Sequence, residues 1–287
     1  METNYSTNLT VKKAQTVLPK DQTLKEKIHQ ANIEVHRSEA EYYELIHPEV
    51  YSKREQKRVK TLLEQIDKQI VDNQKNALDV GAGTGNLTGK LLQMGYKVTA
   101  IDISAEMCAI LKKKYLAYLN DKLTVINSPI EDLNFTKGAF DLIVGYSVLH
   151  HLPDYLAALR TLCGLLKKGG VIYIDHEASP FYWKNEPSSL AELVKSLYFH
   201  SNPLINSFYF QITGLRVPSI DYTLSDYWHK KEHAINHNAI AQTFKQAGFE
   251  RFERADYHLN GAMFPNALFY LYRLLCRPEM SYWIAKK

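Results

Sequence analysis

The run Leu78-Asp79-Val80-Gly81-Ala82-Gly83-Thr84-Gly85 sets three glycines at alternate positions directly after a short apolar stretch. Such a turn lets backbone N–H groups approach a ligand closely, and a helix that opens there favours electron-rich groups at its N-terminus. Seventeen residues past Gly85, a second apolar stretch ends on Asp102. A carboxylate at that position can accept both hydroxyls of a ribose. The pair points to a ligand that carries a ribose, either a dinucleotide or a nucleoside. A second set of candidates is histidine: His150 and His151 follow a later apolar stretch, and His176 follows the one after it. An imidazole titrates near neutral pH and is a natural general base.

These residues need a scaffold, and the pattern around them supplies one. From residue 77 short apolar runs alternate with helical segments, the signature of a parallel sheet covered by helices. Expected strands are Ala77–Val80, Lys97–Asp102, Leu123–Asn127, Phe140–Tyr146 and Val171–Asp175, with helices at about 86–94, 105–118 and 154–166. A helix at about 237–247, a strand Phe249–Tyr257 and a last strand Met280–Ala285 complete the series. Upstream, residues 1–20 show no apolar period. A helical pattern runs from about Asp21 to Ile46, and Pro48 interrupts it. The next helix aligns Val59, Leu62, Leu63, Ile66 and Ile70 on one face, while Lys53, Arg54, Lys57 and Arg58 occupy a side expected to be solvated. Residues 1–72 are read as an arm and helical cap, and 73–287 as the main domain. Within that domain 179–235 is an aromatic-rich insertion. The apolar stretch Ala267–Cys276 is expected to be a buried helix, with a dimer face or a membrane-surface contact as alternatives.

Composition narrows the class. The chain has 287 residues, 45% hydrophobic and 23% charged, with a formal charge of +4 and a mean hydropathy of -0.31. These are values of an ordinary globular protein. The mild charge gives no concentrated basic groove, so no nucleic-acid partner is expected. Cys108, Cys163 and Cys276 lie far apart, so neither a disulfide framework nor a metal site is expected, and a reducing cytoplasm fits. The first residues lack the apolar core of a secretory signal, and no apolar run is long enough to span a bilayer.

Spacing decides between ribose ligands. The dinucleotide fingerprint is G-x-G-x-x-G, whereas this chain has G-x-G-x-G. The run Leu78–Gly85 resembles motif I of the class I S-adenosylmethionine-dependent methyltransferases, and Ala100-Ile101-Asp102-Ile103-Ser104 resembles their second motif. Phe140–Val144 followed by Leu149-His150-His151-Leu152 is similar to the fourth, and Leu165–Gly170 to the turn before strand five. The resemblance implies an α/β fold with a Rossmann-like, mostly parallel sheet and an antiparallel last strand. It also implies S-adenosyl-L-methionine as cofactor and S-adenosyl-L-homocysteine as product. By the same analogy Asp79 indirectly supports the methionine amino group, the turn of Gly81, Gly83 and Gly85 lies against the cofactor, and Asp102 takes the ribose. Ile103 and Met107 flank the adenine, the Ile130 backbone N–H contacts it, and backbone around Gly145 and Tyr146 meets the methionine part. Where the family often has an acid before the segment Ile130-Glu131-Asp132-Leu133, this chain has Ser128-Pro129, which leaves Ser128, Glu131 or a backbone carbonyl for the adenine amino group.

Methyl transfer is an in-line displacement that needs alignment and, for an oxygen or carbon acceptor, a base. His150, His151 and His176 are the candidates. The insertion should act as the acceptor lid, with Tyr182 and Trp183 on one side and Tyr42, Tyr43 and His47 on the other, which favours a small, largely apolar metabolite. No [D/N/S]-P-P-[Y/F/W] tetrad follows strand four, where Gly145-Tyr146-Ser147-Val148 stands instead, and no Pro-Cys pair is placed for pyrimidine methylation. The expected assembly is a monomer or homodimer with no transmembrane segment, a peripheral membrane contact being left open. Two alternatives stand beside this reading: methylation of RNA or protein, and a non-catalytic protein that binds the cofactor.

Overall fold

Seven strands pair into one sheet: β1 (Asn76–Val80), β2 (Lys97–Asp102), β3 (Leu123–Asn127), β4 (Phe140–Tyr146), β5 (Leu166–Ala178), β6 (Arg251–Tyr257) and β7 (Met280–Lys286). They come from a computed structural model that describes residues 23–70, 75–184, 222–259, 262 and 264–287. The spatial order is β3-β2-β1-β4-β5-β7-β6. The first five strands run parallel, and β7 is antiparallel to both β5 and β6. The strand order reverses between β1 and β4, which opens a crevice at their carboxyl ends.

Side-chain alternation sends the two faces of each strand to different layers. On one face Leu78, Val80, Ile143, Ile172 and Ile174 meet α6 (Tyr155–Leu165) and α7 (His237–Gln246). On the other, Ala77, Val98, Leu142, Val144 and Tyr173 meet α3 (Lys53–Asp67), α4 (Asn86–Gln93) and α5 (Ala105–Lys114). Because Val59, Leu63 and Ile66 of α3 are fully buried in that layer, α3 is part of the main core. The boundary expected at residue 72 falls outside the described residues.

The helical pattern expected over 21–46 divides into α1 (Leu24–Glu39), closed at its start by a capping box between Thr23 and Glu26, and the short α2 (Tyr43–Ile46). Strand β5 begins five residues earlier than expected, since Phe140 of β4 pairs with Leu166 before a register shift. The α3 face expected to be solvated is only half so. Lys53 and Lys57 are exposed, but Arg54 donates to the Ala262 and Phe264 carbonyls and Arg58 turns inward to Glu55 and Asp175. The apolar segment expected to be buried forms α8 (Asn266–Leu275), of which only Tyr272 is buried. Tyr270 and Leu274 stand out in solvent, because the helix turns Leu268, Phe269 and Tyr272 toward the small cluster around Phe264 and leaves its other side uncovered. Of the insertion, residues 185–221 lie outside the described residues.

Candidate functional site

The carboxyl ends of β1, β2 and β4, the turn after β3 and the helix α1 enclose a cleft that is partly open to solvent. Gly81, Gly83, Asp102, Ile103, Met107, Ile130 and Tyr146, all expected from the sequence, line it. Gly83 has φ +52° and no heavy atom within 4 Å of the position its Cβ would take, so the backbone there faces open space. Asp102 is anchored at both oxygens: Oδ2 accepts from Gly83 N–H and Oδ1 from Ser104 N–H, each at 2.8 Å. Burial raises its pKa above the ordinary carboxylate value, against the pull of nearby His36.

Other expected residues sit behind the wall. Asp79 is buried beneath the turn and accepts from the Thr88 hydroxyl at 2.6 Å, with burial pushing its pKa up to about 7. Gly85 makes room for Tyr115, whose hydroxyl donates to the Gly85 carbonyl; a Cβ there would stand 2.6 Å from the Tyr115 ring. Gly145 packs beneath Val148. Tyr43 lines the cleft, and His47 lies against its ring at 4.6 Å. Tyr42 only begins the short turn of α2. Tyr182 and Trp183 gather instead around His229, with ring centroids 4.7 and 5.7 Å away.

The three candidate bases differ. His150 is buried, its Nδ1 2.8 Å from Glu177 Oε2, while Glu177 Oε1 accepts from the Val148 and Leu149 N–H groups. Burial lowers the His150 pKa to about 4 and raises that of Glu177 to about 7. His151 lines the cleft and its Nδ1 is 2.9 Å from the Ser225 carbonyl. His176, at φ +63°, sets Nδ1 2.9 Å from the Tyr146 hydroxyl, which itself donates to Glu55 at 2.9 Å. The Tyr146 oxygen therefore accepts from the imidazole, leaving the His176 Nε2 lone pair free. Burial holds His176 well below the ordinary histidine pKa. Ser147 also has a positive φ, +57°. Two such non-glycine residues on neighbouring strand tips are a concentration of backbone strain.

Several lining residues were not anticipated. His29, Asn32 and His36 reach the cleft from α1, opposite Glu131. The spacing of His29, Asn32 and His36, three and four apart and so on one face of α1, was the available signal. Asn32 Oδ1 and Glu131 Oε2 are buried without a hydrogen-bond partner, while His36 Nδ1 lies 3.7 Å from Glu39. Buried polar groups are normally paired, so two such atoms on one wall suit a polar ligand, and the open backbone at Gly83 suits its close approach.

Comparison with known proteins agrees. Residues 78–174 match the family model of the methyltransferase domain. Residues 78–174 form a methyltransferase domain, on the sheet of the class I fold. The cofactor of this class is S-adenosylmethionine. The methyltransferase domain is similar to a ubiquinone biosynthesis O-methyltransferase of Vibrio parahaemolyticus, 34% identical over 102 residues, which are 35% of this chain and 43% of that protein. The chain thus spans less than half the length of this curated relative. In fold it is similar to magnesium protoporphyrin IX methyltransferase from Synechocystis with bound S-adenosylmethionine, at TM-score 0.54 and 13% identity, covering 94% of this chain and 99% of the other. A second likeness, at TM-score 0.50 and 18% identity, is to an S-adenosylmethionine-dependent methyltransferase of Mesorhizobium loti, covering 77% and 95%.

Proposed function

We propose that the protein transfers a methyl group from S-adenosylmethionine to an oxygen or carbon of a small, largely apolar acceptor. The observation that carries this reading is the cleft itself, lined by the doubly anchored Asp102, the open Gly83 and the unpaired Asn32 Oδ1 and Glu131 Oε2. Bound there, the cofactor supplies a methyl group on a sulfonium, ready for in-line displacement. Asp102 accepts the ribose hydroxyls, and its two backbone bonds keep the carboxylate from turning away. Ile103, Met107 and the Ile130 side of the turn after β3 form the adenine walls, and Glu131 Oε2 takes the amino group that the Ser128-Pro129 sequence leaves without an acid. Tyr43, Tyr146 and Ser147 border the methionine end.

His176 is the base in this reading. Its Nδ1–H is engaged by Tyr146, and burial keeps it neutral, so its Nε2 can take a proton from the acceptor. An apolar acceptor fits the aromatic neighbours Tyr182, Trp183 and Tyr43, and the named O-methyltransferase relative fits an oxygen target. No helix among the described residues is long and apolar enough to cross a membrane. Incubation with methyl-labelled cofactor and fractionated small molecules, lipids, RNA and protein tests this directly. Label in an apolar small-molecule or lipid fraction is expected, and label confined to RNA or protein would overturn the acceptor class.

A further inference from the structure

Beside the donor cleft, the turn after β4 and the described C-terminal part of the insertion bring His150, His151 and Asp226 together. One ligand atom from each lies within 4.8 Å of the others. We propose that these three residues form a binding site for a divalent transition metal such as Zn²⁺, Co²⁺ or Fe²⁺. The inference rests on the methyltransferase reading only for the metal's purpose, which is to hold an acceptor oxygen at the mouth of the cleft.

The donor set is the first argument. Two imidazoles and one carboxylate with open positions suit borderline divalent ions and leave room for an exogenous oxygen ligand. The surroundings are the second. Metal-binding histidines characteristically give their other ring nitrogen to a carboxylate or a backbone carbonyl. Here His150 Nδ1 is held by Glu177 at 2.8 Å, which leaves its Nε2 for a ligand, while His151 Nδ1 lies 2.9 Å from the Ser225 carbonyl and faces Asp226 Oδ1 at 3.4 Å. Both rings are thereby fixed before any ion arrives. Glu177 is itself fixed by two backbone N–H groups. Asp226, in turn, has its carboxylate 3.4 Å from His151 and pairs with no lysine or arginine among the described residues. The site is also sheltered: His229 lies edge-on to His150 at 5.2 Å and His36 edge-on to His151 at 5.1 Å.

Position gives the site its use. His151 lines the donor cleft, while His229 carries Tyr182 and Trp183, so the three ligands lie between the donor space and the aromatic residues assigned to the acceptor. An acceptor hydroxyl or carbonyl taken as a further ligand would be oriented there and polarised.

Purified full-length protein, stripped with chelator, is titrated with Zn²⁺ by calorimetry and with Co²⁺ by visible absorption. One equivalent is expected to bind, with ligand-field bands for Co²⁺. Asp226→Asn and His151→Gln should each weaken binding by at least about 100-fold, and Glu177→Gln by about 10-fold. His233→Gln should change nothing. Circular dichroism and Tm establish that each variant is folded, and Asp226 is exposed enough for its asparagine variant to fold. Absence of stoichiometric binding, or equal affinity in wild type and both ligand variants, overturns the site. S-adenosylhomocysteine binding to the stripped protein is measured in parallel: its retention with no metal binding rejects the metal site alone, and its loss rejects the donor site.

Discussion

The guanidinium of Arg58 on α3 lies 2.8 Å from the buried carboxylate of Asp175 at the tip of β5. The same guanidinium bonds Glu55 and lies 3.6 Å above the Tyr257 ring. Glu55 also receives the Tyr146 hydroxyl. One cation of the N-terminal helices thus ties together the strand tips that carry the cleft wall and His176.

Arg58→Ala would leave two buried carboxylates without their cation, a change that costs about 3–5 kcal/mol. A large drop in Tm, with substantial loss of folded protein at ambient temperature, is expected by calorimetry. Arg58→Lys should not restore it, since a single ammonium does not reproduce the fork.

Much of the donor side was legible because its signals are local. Gly81, Gly83 and Asp102 lie within the glycine turn or at the end of the following strand, where spacing points to them, and the resemblance adds Ile103. The depth at which each glycine acts was not legible: Gly83 faces the cleft while Gly85 serves Tyr115, a residue thirty positions away. Nor could the period of α3 separate Arg58 from Lys57, since the partner that draws Arg58 inward is Asp175 on β5. The solvated face was the simpler reading, and the tertiary contact overrode it. Likewise His150-His151 showed no metal spacing, because Asp226 joins them only through the fold.

The two glycines separate binding from stability. Gly83→Ala adds a methyl group toward open cleft space at positive φ, a strain of about 1–2 kcal/mol, and should lower S-adenosylhomocysteine affinity at least about 10-fold. Gly85→Ala collides with the Tyr115 ring and should chiefly lower Tm. Calorimetric titration and thermal unfolding of both variants check the contrast.

The proton on Asp79 gives a pH signature. Its folded pKa is raised by burial to about 7 from an ordinary 3.8, so the folded state binds more protons than the unfolded chain between those values. The stabilisation is complete below the unfolded pKa and is lost as pH rises toward 7, at up to about 1.4 kcal/mol per pH unit. Denaturant unfolding of wild type and Asp79→Asn at pH 4.5, 5.5 and 6.5 should show wild type losing stability relative to the variant as pH rises.

Methyl transfer should keep its base at low pH. Burial lowers the His176 pKa below 6.5, so the neutral form persists as pH falls through that value, and kcat/KM should show no protonation step near 6.5. Tyr146→Phe removes the acceptor that engages His176 Nδ1. It should lower kcat about 10-fold or more with little change in cofactor affinity, as read from steady-state kinetics and titration.

Calorimetric titration of S-adenosylhomocysteine into wild type and Asp102→Ala tests the donor site most directly. One-to-one binding to wild type, weakened at least about 100-fold in the folded variant, is the expected result. No binding to wild type, or equal affinity in both proteins, would contradict the assignment of the cleft.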